Sequence, residues 1–174
     1  MITRLLSKKW ILMMAVGLIG LAGFLAIPSA DVHAQDNTPG ENLNDLLSRG
    51  LTRLQTTSTN LQGRLDKTDE LITRGEEWIA KLQADGVETA VLEEALDTYR
   101  EQVAASQELA DAAAEILDEH AGFDDEGNVT GRQEAANTLR QAGRNLRDSH
   151  RTLRDASIDL RRTVNDFRRD QQGN

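Results

Sequence analysis

The residues best suited to chemistry lie in one short stretch, His120 to Glu134 (HAGFDDEGNVTGRQE). Oxygen donors at alternate positions around a central glycine are what a calcium loop needs. With Gly127 in the sixth place of such a loop, Asp124, Glu126 and Asn128 fall in the third, fifth and seventh. The first place is then Gly122 and the twelfth Gln133, so two principal ligands are missing. The simpler expectation is structural. Asp125-Glu126-Gly127-Asn128 makes a tight turn, and Thr130-x-x-Gln133 forms a capping box that opens a helix. Asn128-Val129-Thr130 also fits a glycosylation sequon.

Catalytic constellations are scarce. Beyond residue 34 the histidines are His120 and His150, and the chain has no cysteine. No H-x-x-x-H pair, HExxH motif or glycine-rich phosphate loop occurs. Glu76-Glu77 and Glu93-Glu94 are expected on solvated faces, where nothing raises a carboxyl pKa into the working range. Leu117-Asp118-Glu119-His120 does not supply the Glu-x-x-His spacing of di-iron bundles. The expectation is a non-enzymatic protein with no catalytic residue, no cofactor and no metal.

The N-terminus reads as an export signal. Arg4, Lys8 and Lys9 precede an apolar run from Trp10 to Ile27, and Val32-His33-Ala34 offers a small-residue cleavage pattern before Gln35. Residues 1–34 are thus expected to be a signal peptide. If the signal is retained, segment 10–27 is long enough to anchor the chain in a membrane. Both readings place the remainder outside the cytoplasm, secreted or periplasmic, and no other membrane contact is expected. Residues 35–40 (QDNTPG) read as a disordered spacer.

Residues 41–172 read as one all-α domain, an elongated antiparallel three-helix bundle or coiled coil with helices at about 41–84, 89–119 and 131–170. In the first helix the seam runs Leu43, Leu47, Gly50, Leu54, Ser58, Leu61, Leu65, Thr68, Ile72, Gly75, Ile79 and Leu82. Thr56 to Asn60 (TTSTN) has poor helix propensity and predicts a kink or a polar core layer. Asp85-Gly86 stops this helix and Thr89 can cap the next. The second seam is Leu92, Leu96 (or Ala95), Tyr99, Val103, Ser106, Ala110, Ala113 and Leu117; the third runs from Leu139 through Ala142, Leu146, Ser149, Leu153, Ala156, Leu160 and Val164 to Phe167.

Charge is divided unevenly. Residues 36–126 carry 22 acids and 7 bases, whereas residues 132–170 carry 10 bases and 6 acids. Arg140, Arg144, Arg147, Arg151 and Arg154 form a stripe along the third helix. Asp148, Asp155 and Asp159 interrupt it and the net charge of −9 repels polyanions, so no nucleic-acid partner is expected. Pairing of the stripe with acidic flanks of the first two helices is expected instead.

At about 1.5 Å per residue the second helix falls roughly 20 Å short of the first. Leu43, Leu46, Leu47 and Leu51 then lack a partner, and either the 120–130 loop covers them through Phe123 and Val129 or another chain does. These six residues are the candidate partner-binding site, for a protein partner or for self-association.

Leu51-Thr52-Arg53-Leu54-Gln55 resembles the LTxxQ pentapeptide of small periplasmic stress chaperones of the helical-cradle type, and Val129-Thr130-Gly131-Arg132-Gln133 is a looser second copy. That resemblance implies an exported all-helical chaperone or signalling inhibitor. Here Leu51 falls inside a continuous heptad, where Thr52 does not act as a cap. Function is expected to be an interaction or structural role in the cell envelope or outside the cell. The alternatives are a carrier of an apolar ligand, lined by Ala104 to Ala114 and Thr56 to Asn60, or a chaperone-like binder of unfolded clients.

Overall fold

The structure, a computed structural model, describes residues 43–173. The predicted signal segment, the spacer and residues 41–42 lie outside the described residues. Three packed helices make up the fold: α1 Leu43–Ala84, α2 Ala90–Glu119 and α3 Arg132–Gly173. The last runs three residues beyond its predicted end. No helix among the described residues is long and apolar enough to cross a membrane.

The heptad period explains which faces are inside. α2 buries its predicted seam, Leu92 through Leu117, with Leu96 and not the half-buried Ala95 in the second place. In α3, Ala135 and Thr138 extend the predicted seam by two buried residues, while Leu139 and Leu160 are only half-buried. α1 departs most. Leu51 and Trp78 are buried, while Leu43 is exposed and Leu47, Gly50 and Leu54 are half-buried. Trp78 is drawn in because its ring meets Phe167 edge-on, with centroids 6.1 Å apart at 86°.

TTSTN does not interrupt α1. The hydroxyls of Thr56, Thr57 and Thr59 donate to the carbonyls of Thr52, Arg53 and Gln55 one turn back, at 2.9, 2.8 and 3.1 Å. Their hydrogen bonds are met inside helical geometry. Ser58 alone of the five is buried, which is the expected polar layer. Gly86, at φ 74°, ends α1 as predicted: its N–H bonds the Gln83 carbonyl and that of Val87 bonds Leu82. Thr89 precedes α2, but its hydroxyl donates to the Glu93 carboxylate at 2.6 Å instead of accepting a backbone N–H. The expected Thr130 capping box is likewise replaced. Gly131 adjoins the start of α3 and its carbonyl accepts the Ala135 N–H, while the Thr130 N–H is taken by the Gly122 carbonyl.

Register shows how the helices lie. Arg132 Nε donates to Asn44 Oδ1 at 2.8 Å, Gly50 faces Leu139, Leu54 faces Gly143 and Trp78 meets Phe167. Each pair is 88 or 89 residues apart, so α1 and α3 run parallel in one register along their length. α2 runs back between them. It pairs most extensively with α3, and the reason is a clasp of two serines. Ser106 Oγ donates to the Ser149 carbonyl at 2.9 Å, Ser149 Oγ donates to the Ser106 carbonyl at 2.7 Å, and both residues are fully buried. Side chains this small allow the helix axes to approach closely.

That contact yields a contrast. Ser149→Ala should cost no more than about 0.5–1.5 kcal/mol, the net value of a hydrogen bond. Ser149→Leu must push α2 from α3 and should cost about 1–3 kcal/mol or more. Denaturant melts of the two variants check the order; equal costs would remove the close-approach argument.

Candidate interaction site

The end of the bundle opposite the Gly86 hairpin is closed by residues 120–131. His120 ends α2 in the left-handed conformation at φ 34°, with its N–H on the Ile116 carbonyl. Its Nδ1 lies 2.6 Å from the Asp118 carbonyl and its Nε2 lies 3.6 Å from Asp125, so the ring folds onto its own loop. Phe123 and Val129 form an antiparallel bridge. Between them Asp124 Oδ1 accepts the N–H groups of Asn128 and Glu126 at 2.7 and 3.1 Å, and Oδ2 accepts Asn128 Nδ2 at 3.1 Å. The backbone N–H of Asn128, more than any other donor, holds the Asp124 carboxyl below the usual carboxylate range. Both Asp124 oxygens are therefore turned onto N–H groups of the loop itself. Among the described residues no three His, Cys, Asp or Glu converge as metal ligands.

Gly122 locks this loop to α3. Its φ is 88°, and a Cβ there would stand 2.1 Å from the Ala135 nitrogen. Thr138 adds a second tie, its hydroxyl donating to the Ala121 carbonyl at 2.8 Å.

The six candidate residues divide into two groups. Leu51 and Phe123 are buried, at 3% and 7% exposure, in the main apolar cluster, with Leu47 and Val129 packed against it. Gly127 of the loop lies beside the Leu51 methyls. The loop thus covers the inner leucines from within the same molecule. Leu43 and Leu46 are left at 51% and 41% exposure. They form a two-leucine step at the start of α1, next to Asn44, which is bonded to Arg132.

Three further features bear on function. The arginine stripe faces outward: all five arginines are exposed, and among the described residues none is paired to an acid of α1 or α2. The expected interhelical pairing is replaced by bonds within α3, Arg151 to Asp155 at 3.8 Å and Arg140 to Asn137 at 2.7 Å. The position of the stripe explains this, because its row points away from α2. His150 is half-buried on the α1 side of α3. Burial, and after it the positive charges of Arg64 and Arg154, holds its imidazole below the ordinary value. Finally, an open groove of about 490 Å³ lies between α1 and α2, lined by Gln55, Ser58, Thr59, Gln62, Asp66 and Leu117 among others. The small residues Ala110 and Ala113 do not widen the bundle as a ligand channel would require; both are fully buried.

Sequence reasoning missed Gly122 and the Trp78–Phe167 contact. Trp78 had a signal, its spacing of four from Leu82 and three from Gly75. Gly122 had none, since its need arises from where α3 returns.

The fold and this end define an all-helical bundle protein with a hydrogen-bonded cap over its core. No family model, no curated protein and no solved structure matches the chain.

Gly122→Ala should destabilise the fold by at least about 2 kcal/mol through strain and overlap, read by denaturant unfolding. For Asp124 the lowered folded-state value means that its ionised form stabilises the loop above the unfolded value and is lost as pH falls through the folded one. The Asn128 amide should therefore lose exchange protection as pH drops below about 3.9. Asp124→Ala should show the same loss at neutral pH.

Proposed function

We propose that the chain is an exported, non-enzymatic helical-bundle protein with an interaction or structural role in the cell envelope or outside the cell. The observation that carries this reading is the leucine step: Leu43 and Leu46 stand in water beside a cap that is itself rigidly bonded. A solvent-facing apolar pair on a fixed frame is suited to meeting another protein surface, a second copy in the simplest case. Export is supported by the basic, apolar and small-residue succession over residues 1–34. The excess of acids over residues 36–126 favours a protein partner over a nucleic acid.

The alternative, a carrier of an apolar ligand or a chaperone-like binder of unfolded clients, is favoured by the groove between α1 and α2, which includes Ser58, Thr59 and Ala114. Gln55, Gln62, Asp66 and Asp118 add amides and carboxylates to its walls, beside Leu117. A lipid-like dye that stays dark with the folded protein removes the carrier reading.

Two experiments test the main reading. Cell fractionation with N-terminal sequencing should find the chain outside the cytoplasm, beginning at Gln35; a cytoplasmic chain that keeps Met1 overturns export. Light scattering over a concentration series at about 0.5 M salt, where exposed charges are screened, should show mass rising for the parent but not for Leu43→Asp/Leu46→Asp. Helix content should be unchanged in that variant, whereas Leu51→Asp, in the core, should unfold the bundle. A parent that stays monomeric throughout overturns self-contact at this end.

A further inference from the structure

Charge on this bundle is sorted by face. Arg140, Arg147, Arg154, Arg161 and Arg168 recur every seven residues along α3, and at about 10.5 Å per step they form one straight row. The row flanks the α1–α3 seam, because Arg168 lies 5.7 Å over the Trp78 ring of α1 and Arg154 acts electrostatically on His150, as does Arg64 of α1. On the other side of that seam α1 carries its own row, Arg53, Lys67, Arg74 and Lys81, in the same seven-residue frame with Asn60 between. Neither row contains an acid. α1 and α3 are parallel, so the two basic rows run beside one another along the seam, and Arg74 is paired with Glu70 one turn back on its own helix.

The opposite sign is on α2. Glu94, Glu101, Glu108 and Glu115 recur at the same seven-residue step, and Asp97, Asp111 and Asp118 form the adjoining row. All seven are exposed on the side of α2 turned away from the Ser106 contact with α3. This acidic ridge has the pitch of the basic seam and three-quarters of its length, 21 residues (94 to 115) against 28 (140 to 168). The two cannot meet within one chain, because they lie on opposite sides of the bundle.

We propose that the α2 ridge of one copy seats along the α1–α3 seam of a second copy. The contact joins two different surfaces, so it repeats head to tail and builds open rows of molecules and not a closed dimer. It uses surfaces separate from the leucine step and holds whether or not that end binds anything. A free polyanion is the less suited occupant, since it lacks the matched seven-residue repeat of the α2 ridge.

The test uses the chain as the cell processes it. At about 20 mM salt, light scattering should show mass growing with concentration beyond a dimer, and at about 0.5 M salt growth should fall back to what the leucine step alone sustains. Association through the leucine step persists at high salt, which separates the two surfaces. Arg147→Glu/Arg154→Glu and Glu101→Arg/Glu108→Arg should each weaken low-salt association roughly tenfold or more, with helix content unchanged because all four positions are exposed. Mixed together, the two variants retain one intact seam and one intact ridge between them, and should associate with each other at low salt where neither associates alone. A parent that stays monomeric at low salt, or variants that do not complement, overturns the proposal. So does a monomeric parent that binds phosphatidylglycerol vesicles and loses that binding on Arg147→Glu/Arg154→Glu, which would give the seam to an anionic surface.

Discussion

The closest constraint in the molecule is the contact of Ser106 with Ser149. Two hydroxyls that each bond the other helix's carbonyl leave no room for a larger side chain, so α2 and α3 are held at a fixed separation and register. Ala110, Ala113, Ala142 and Ala156 continue the same narrow contact on either side, all essentially without exposure. α1 then has to fill the broad groove on the remaining side, and it does so with larger residues, Leu61, Leu65, Ile79 and Trp78. The division of the core into a cluster around Tyr99 and Val103 and a second around Trp78 and Phe167 follows from this asymmetry.

The narrow α2–α3 contact also shapes the two ends. At the hairpin end, α1 turns at Gly86 and the aromatic pair closes the core under Arg168. At the other end α2 stops at Glu119, short of the start of α1, and the chain must cross a gap before it can re-enter as α3. The 120–131 loop fills that gap with Phe123 and Val129, stiffened by Asp124 and made possible by a glycine at position 122. Coverage by a loop of this length reaches Leu51 and Leu47 but not Leu46 or Leu43. The exposed leucines are thus a geometric remainder of unequal helix lengths, and they stand where a second surface could use them.

Charge follows the same geometry. Each helix shows the solvent a face opposite its seam, and the heptad keeps that face in line for the length of the bundle. The stripe Arg140 to Arg154 of α3 and the row Glu94 to Glu115 of α2 are on outer faces, turned apart from one another. Individual exposed ion pairs contribute roughly 0–1 kcal/mol. A repeated row acts mainly through steering and partner choice, which is where its consequence for assembly lies.

Helix type, number and extent were legible in the sequence, and so was the whole buried face of α2, because a sustained 3.5-residue period leaves one way to bury its apolar rows. The Gly86 stop was legible too, since Asp-Gly after an apolar period has one common backbone outcome. What the sequence alone could not decide were contacts between residues distant in the chain. Whether Leu51 was core or contact surface depended on where the loop returned. Whether the arginine stripe met the acidic helices depended on rotation of α3 about its axis, which the seam constrains only within a residue or two. Gly122 looked like any loop glycine until Ala135 of the returning helix was placed against it. Local periodicity determines what each segment buries; only the tertiary structure determines which buried face meets which, and therefore what is left outside.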